Sequence, residues 1–250
     1  MALADLNISV ELASGQSGAV LGPLADDLAT ASLDLARSFA RGATMWCSAP
    51  EYPSHALHVA VEFVHPVIVG KRALPASPVE GPDPVATLRV VSAPGDILVA
   101  LGRADDTTIA AAMRRAPAWG LRTVWIGTGV RPPAGAADHV LWLDEPIDDA
   151  AYGGRFVLIY HLLWELTHVC FEHPGLLEPR ADDPIESANV CITCSDEGRV
   201  AEVVATGPGS SARVRAGGQI ESIDITLIDQ PRPGDLVLVH AGSAVSLLED

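Results

Sequence analysis

Between residues 27 and 173 the apolar positions of the chain follow two periods in alternation. Stretches with apolar residues every three or four positions predict helices at Asp27–Arg41, Ser54–Val64, Thr107–Trp119 and Arg155–Glu172. Between them lie short runs rich in Val, Ile, Leu and Trp, which predict strands at Thr44–Ala49, Pro66–Gly70, Asp96–Gly102, Thr123–Gly127 and His139–Leu143. Ser54, after Pro53, is a candidate cap for the second helix. Asp105 or Asp106 fits the start of the third, with Gly120 as its stop, and His173-Pro174-Gly175 ends the fourth. This alternation predicts a layered α/β fold on a mainly parallel five-stranded sheet.

Residues 174–190 are rich in proline and acids without periodicity, as in a linker. The pattern beyond them changes to short strands separated by glycine: Arg199–Thr206, Ala212–Ala216, Ile220–Ile228 and Asp235–His240. Gly217-Gly218 suits a two-residue hairpin connection, and Pro231-Arg232-Pro233-Gly234-Asp235 suits a turn into the last strand. The expected organisation is an α/β domain over 1–173, a linker over 174–190 and a small β domain over 191–250. A domain of that last size sits near the lower limit for an independent core, so it is expected to dock on the larger one.

Composition narrows the function. Apolar residues make up 48% of the 250 positions and charged residues 19%, which fits a globular chain. The 32 acids outweigh the 16 bases, and Lys71 is the single lysine, so no basic stripe exists to meet nucleic acid or an anionic membrane surface. The first twenty residues lack a basic n-region and a continuous apolar core. The densest apolar stretch, Phe156–Leu166, is interrupted by His161 and Glu165. A cytoplasmic protein is expected. Four cysteines are too few for a disulfide framework in such a compartment.

Two of those cysteines stand close together in Cys191-Ile192-Thr193-Cys194-Ser195-Asp196-Glu197. Their spacing can grip one soft metal ion or close a small disulfide. It also fits two thiols without a role, or half of a structural zinc site, although no second pair completes four ligands. The residues that follow are Gly198-Arg199-Val200, Ala212-Arg213-Val214, Gly218 and Gly234-Asp235-Leu236-Val237-Leu238-Val239-His240-Ala241-Gly242. From Cys191 to the end the chain resembles the HypC/HupF family of hydrogenase maturation chaperones. That resemblance implies a small OB-like β-barrel that, with a HypD-like scaffold protein, holds iron carrying cyanide and carbonyl ligands for the [NiFe]-hydrogenase large-subunit precursor. Cys191, Cys194 and His240 are then the iron-site candidates. Here the thiols are internal, whereas the family's cysteine is N-terminal, so which of the two is the ligand stays open.

Farther upstream, His58-Val59-Ala60-Val61-Glu62-Phe63, Gly95-Asp96-Ile97-Leu98-Val99-Ala100, Trp119-Gly120-Leu121-Arg122-Thr123-Val124 and Ile159-Tyr160-His161-Leu162-Leu163 occur in this order. Over residues 27–172 the chain resembles the SIS (sugar isomerase) domains of the phosphoheptose isomerase and DiaA type. His58 and Glu62, four apart, share one helix face. The resemblance implies a metal site at His58, Glu62 and His161, with zinc as the candidate ion, Glu62 and His161 as base and acid of an isomerase, and self-association. It is also incomplete. Ser48-Ala49-Pro50-Glu51-Tyr52-Pro53-Ser54 stands where the isomerases have a Gly/Ser loop, and Gly102-Arg103-Ala104-Asp105-Asp106-Thr107 where they have a Ser/Thr-rich turn. Gly153 falls at their metal-site glutamine. A phosphate dianion would meet Asp105 and Asp106 at the helix start, which Arg103 offsets only in part.

The expectation is therefore a maturation factor with a degenerate SIS domain. The alternatives are a metal-dependent sugar-phosphate isomerase with an accessory β domain, or an SIS module that senses a small ligand. Cys47, Cys170, Met45 and the tryptophans are expected in the core, and His65, His168 and His173 facing solvent.

Overall fold

The computed structural model describes residues 22–178 and 198–248. In the first segment the elements are α1 (Ala25–Ala40), β1 (Met45–Ser48), α2 (Pro53–Val64), β2 (Ala76–Pro78), α3 (Pro84–Val91), β3 (Ile97–Leu101), α4 (Thr107–Trp119), β4 (Arg122–Thr128), β5 (His139–Leu143), α5 (Ile147–Tyr152) and α6 (Arg155–Glu172). All strands pair in parallel in the order β2-β1-β3-β4-β5. Every side chain of Ile97-Leu98-Val99-Ala100-Leu101 is buried, because strand residues alternate between two faces and helices cover both. Ile97, Val99 and Leu101 join the core beneath α1, α2 and α6, where Phe63, Phe156 and Tyr160 are fully buried. Leu98 and Ala100 join a second core with Trp125 and Trp142 beneath α3 and α4.

The α4 boundaries follow from its caps. Asp106 Oδ1 accepts hydrogen bonds from the Thr108 and Ile109 amides, and Gly120 ends the helix at φ +78°. Two expectations at the sheet edge fail. The run Pro66–Gly70 is not a strand: Val67 and Val69 are exposed, and the edge strand is Ala76–Pro78, which registers against Met45–Cys47. Ser54 is not a cap either, since Pro53 occupies the first turn of α2 and no side chain caps it. The expected burial of Met45, Cys47, Cys170 and four tryptophans is found, with Trp46 partly buried. His65 and His173 are exposed as expected, whereas His168 is buried, with Nδ1 on the Trp164 carbonyl and Nε2 on that of Arg72.

The second segment forms a closed barrel of β6 (Arg199–Thr206), β7 (Ser211–Ala216), β8 (Gln219–Asp224), β9 (Leu236–His240) and β10 (Ser243–Leu248), in the order β10-β8-β7-β6-β9. Closure leaves small inward residues, Ala201, Val214, Val237 and Ala244 among them, to fill the interior. Ala241 and Gly242 join β9 to β10 with φ of 47° and 80°, the positive values a type I′ hairpin needs. Gly217-Gly218 joins β7 to β8 in the same way, as expected from the sequence.

That second hairpin meets the end of α4. Gly218 N donates to Ala118 O at 2.8 Å, and a Cβ on Gly218 would stand 2.2 Å from Pro94 Cγ. Beside it, Glu202 of β6 is buried: its Oε1 takes two bonds from Arg89 at 3.0 and 2.6 Å, and its Oε2 takes one from Trp119 Nε1 at 3.0 Å. Arg115 Nε lies 4.0 Å from the same carboxylate. The barrel is thus fastened to the α3–α4 side of the sheet by backbone contact and a buried ionic cluster.

Candidate functional site

On the opposite side, α2 and α6 lie against each other and bring residues about a hundred positions apart together. His58 Nε2 is 3.3 Å from Glu62 Oε1 and 3.4 Å from His161 Nε2, and His161 Nε2 is 3.6 Å from Glu62 Oε1. One donor atom from each of the three residues lies within 4.8 Å of the others. His58 and His161 keep 40% and 43% of their side-chain surface in solvent, so the cluster is open on one side. Two imidazoles and a carboxylate with an open approach form the donor set of a catalytic rather than a closed structural zinc site. These residues fit the ion on chemistry as well as spacing.

Behind His58 lies a chain of polar groups that sequence reasoning missed. Tyr160 Oη is 2.7 Å from His58 Nδ1 and 3.5 Å from His55 Nδ1, and His55 Nε2 is 3.0 Å from the Ala151 carbonyl. A carbonyl only accepts, so His55 Nε2 bears the proton and its Nδ1 can accept. Burial lowers the His55 pKa and favours the neutral ring. Burial, helped by the negative charge of Glu62, raises the pKa of Tyr160, so the phenol stays protonated. Two proton arrangements then satisfy the chain. When Tyr160 donates to His58, the His58 Nε2–H is directed at Glu62. When Tyr160 donates to His55, it accepts from His58 Nδ1–H and leaves the Nε2 lone pair facing Glu62 and His161. The second arrangement presents a metal ligand oriented by a partner behind it. The signal for His55 was its place one helical turn before His58; Tyr160, adjacent to His161, gave none.

At the β3–α4 turn the structure shows what replaces a phosphate cradle. The helix-start amides of Thr108 and Ile109 already bond to Asp106 Oδ1 at 2.8 and 3.0 Å. Arg103 is engaged in a two-point ion pair with Asp105 at 2.7 and 2.6 Å. After β1, Pro50 and Pro53 have no N–H to offer, and the Tyr52 and His55 amides bond to Ala49 O and Tyr52 O. At both turns, the amides named here and the Arg103 guanidinium are thus engaged within the protein.

In the barrel, His240 is partly buried at the end of β9. Among the described residues no group of three His, Cys, Asp or Glu gathers other than His58, Glu62 and His161. Cys191 and Cys194 lie outside the described residues. Cys47 and Cys170 are buried, and burial raises both thiol pKa values, which disfavours thiolate chemistry there. No helix among the described residues is long and apolar enough to cross a membrane.

Residues 198–250 match the model of the HupF/HypC family, a match that begins four residues after Cys194. A phosphoheptose isomerase from Francisella tularensis superimposes with a TM-score of 0.55 over 68% of this chain and 99% of its own, at 15% identity. Another, from Neisseria gonorrhoeae, gives 0.51 over 66% and 98%, at 12% identity. No curated protein matches the chain by sequence. At such identities the two structures establish the fold of the larger unit, not its activity. The chain joins a unit with the phosphoheptose isomerase fold to a barrel that carries the HupF/HypC family pattern over residues 198–250.

Proposed function

We propose that this protein is a maturation factor for a [NiFe]-hydrogenase, which holds or hands over iron bearing cyanide and carbonyl ligands. The observation that carries the proposal is the HupF/HypC match, which spans the whole described barrel and ends beyond the His240-Ala241-Gly242 hairpin. On this reading iron is cargo. Cys191 or Cys194, both of which precede the barrel in the sequence, supplies the soft thiolate that low-spin iron with strong-field ligands prefers, and His240 stands near the metal or the partner surface. The partners are a HypD-like scaffold protein and the hydrogenase large-subunit precursor. The domains are those read from the sequence, with 174–190 as linker. The α/β unit is a scaffold that has lost sugar-phosphate turnover and self-associates.

The test is complementation of hydrogenase activity in a strain lacking this gene. The double variant Cys191→Ser, Cys194→Ser is expected to fail while still capturing its partners. Full activity from that variant removes the iron-carrying role. Single variants that differ sharply assign one ligand, and single variants that fail alike point to chelation.

The cluster of His58, Glu62 and His161 favours one second reading, a metal-dependent sugar-phosphate isomerase. Zinc bound by these three residues would supply a positive charge beside a substrate carbonyl or hydroxyl. Glu62 would take a carbon-bound proton and His161 would return one, as an enediol mechanism requires. Asp106 on the α4 amides argues against it, since a sugar phosphate would meet a carboxylate. Purified zinc-loaded protein is expected not to interconvert heptose phosphates; turnover on the order of 1 per second or faster would make this the leading reading.

A further inference from the structure

On the α4 side of the sheet, away from the histidine cluster, the β3–α4 turn, the first turns of α4 and the loops after β4 and β5 line a half-open cavity of about 890 Å³. Its wall is largely apolar, with Ala110 and Met113 of α4 facing Trp125 of β4. The loop that closes it is tied in place. Trp142 Nε1 donates to Gly129 O at 2.8 Å, Arg131 donates to Val140 O at 3.3 Å, and Ala136 N donates to Pro133 O at 3.2 Å. A pocket of this size with fixed walls matches the class that takes small organic molecules.

Charge narrows the occupant. In a chain with 16 basic residues against 32 acids, three arginines line this one cavity beside two carboxylates, Asp105 and Glu145. Arg103 is bound to Asp105, and Arg131 lies 3.7 Å from Asp27. Arg114 is exposed and has no carboxylate partner among the described residues. Two lining residues also keep a buried polar atom without a partner, the indole N–H of Trp125 and Oε1 of Glu145. The indole N–H suits an acceptor on the occupant, whereas Glu145 Oε1 calls for a donor such as a hydroxyl and keeps the occupant's own charge at the Arg114 end. An inorganic anion, strongly hydrated, gains nothing from an apolar wall. We infer that this cavity binds a small organic anion with a flat apolar body, its charge held by Arg114 and its body lying against Ala110, Met113 and Trp125. Nothing in this inference depends on the hydrogenase reading.

The probe is 8-anilino-1-naphthalenesulfonate, which has that chemistry and reports burial by its own fluorescence, titrated into the full-length protein. One site is expected. Arg114→Ala should weaken binding at least fivefold, while the uncharged analogue N-phenyl-1-naphthylamine binds wild type and Arg114→Ala alike. Ala110→Trp, which fills the cavity from the helix, and Ala136→Trp, which fills it from the loop, should each abolish binding of both dyes. Having two filling variants means that one remains if the other misfolds, as judged by near-ultraviolet circular dichroism. Inorganic phosphate should not compete. Binding that survives both folded filling variants, equal affinity in wild type and Arg114→Ala, or no saturable site at all overturns the inference.

Discussion

The molecule holds two polar clusters of opposite design. At the α2–α6 contact, His58 and His161 are open to solvent and, with the more buried Glu62, bring polar atoms together from different helices. At the α4–β6 contact, Glu202 is buried and both of its oxygens are engaged by Arg89 and Trp119. Both gather charged and nitrogen-bearing side chains within hydrogen-bond reach. They differ in what is left over. The first retains donor atoms for something from outside, whereas in the second both carboxylate oxygens are already taken. A cluster becomes a site when its capacity exceeds what the protein itself consumes.

The largest effect that would sharpen this contrast comes from the closed cluster. Glu202→Ala leaves the Trp119 N–H and two arginines without their carboxylate and should lower stability by about 3 kcal/mol, as removal of one partner from a buried pair does. Glu202→Gln, which keeps an acceptor, should cost less. Urea unfolding measures both. Equal, negligible losses would mean that the barrel is not held by this contact.

In the open cluster the balance reverses. His58→Ala should reduce zinc affinity about a hundredfold and Tyr160→Phe about tenfold, both with little change in unfolding midpoint. Competitive chelator titration separates them. A Tyr160→Phe variant with wild-type affinity would remove the tyrosine from the support of His58.

Legibility in the sequence followed the same line. His58 and Glu62 stood out because helix geometry alone puts positions four apart on one face. His161 came into view through family resemblance, and Tyr160 and His55 did not, since their part depends on where α6 crosses α2. In the fold, β3, β4 and β5 were readable because strands buried on both faces carry unbroken apolar runs. The edge strand was misplaced for the same reason. Val67-Ile68-Val69 has the composition of a strand but is exposed, while Ala76-Ser77-Pro78 pairs with β1 through its backbone and has no apolar pattern. The short helices α3 and α5 and the strand β10 also went unread. In α3 the Asp83 cap, which binds the Ala86 amide at 2.9 Å, was the available signal.

Smaller effects test the frame around the two clusters. Ala241 adopts φ 47°, a conformation that costs a residue with a Cβ, so Ala241→Gly should stabilise the barrel by about 1 kcal/mol in the same urea assay. A loss of stability instead would mean that the alanine methyl makes contacts worth more than the turn strain. The smallest effect concerns Asp34, whose pKa is lowered by its hydrogen bond to His139 at 2.7 Å. A carboxylate with a depressed folded-state pKa contributes stability above its unfolded value, near 3.8, and loses it as pH falls through the folded value. Asp34→Asn should therefore lower the unfolding free energy by less than about 1 kcal/mol at neutral pH. The difference should vanish at a pH below the folded value. A difference that persists in acid would assign the effect to shape rather than charge.

The contact of Gly218 with Pro94 and Ala118 bears on the order in which the protein is made. During synthesis α4 and its Gly120 terminus leave the ribosome almost a hundred residues before the hairpin that covers them. Until that hairpin and β6 arrive, the Ala118 carbonyl and the Trp119 indole N–H lack their donor and acceptor partners, although Trp119 already joins the core of its own unit. The nascent α/β unit thus spends an interval with its docking face uncovered, a handle for a chaperone and a hazard for aggregation. Truncation before the barrel would make that interval permanent.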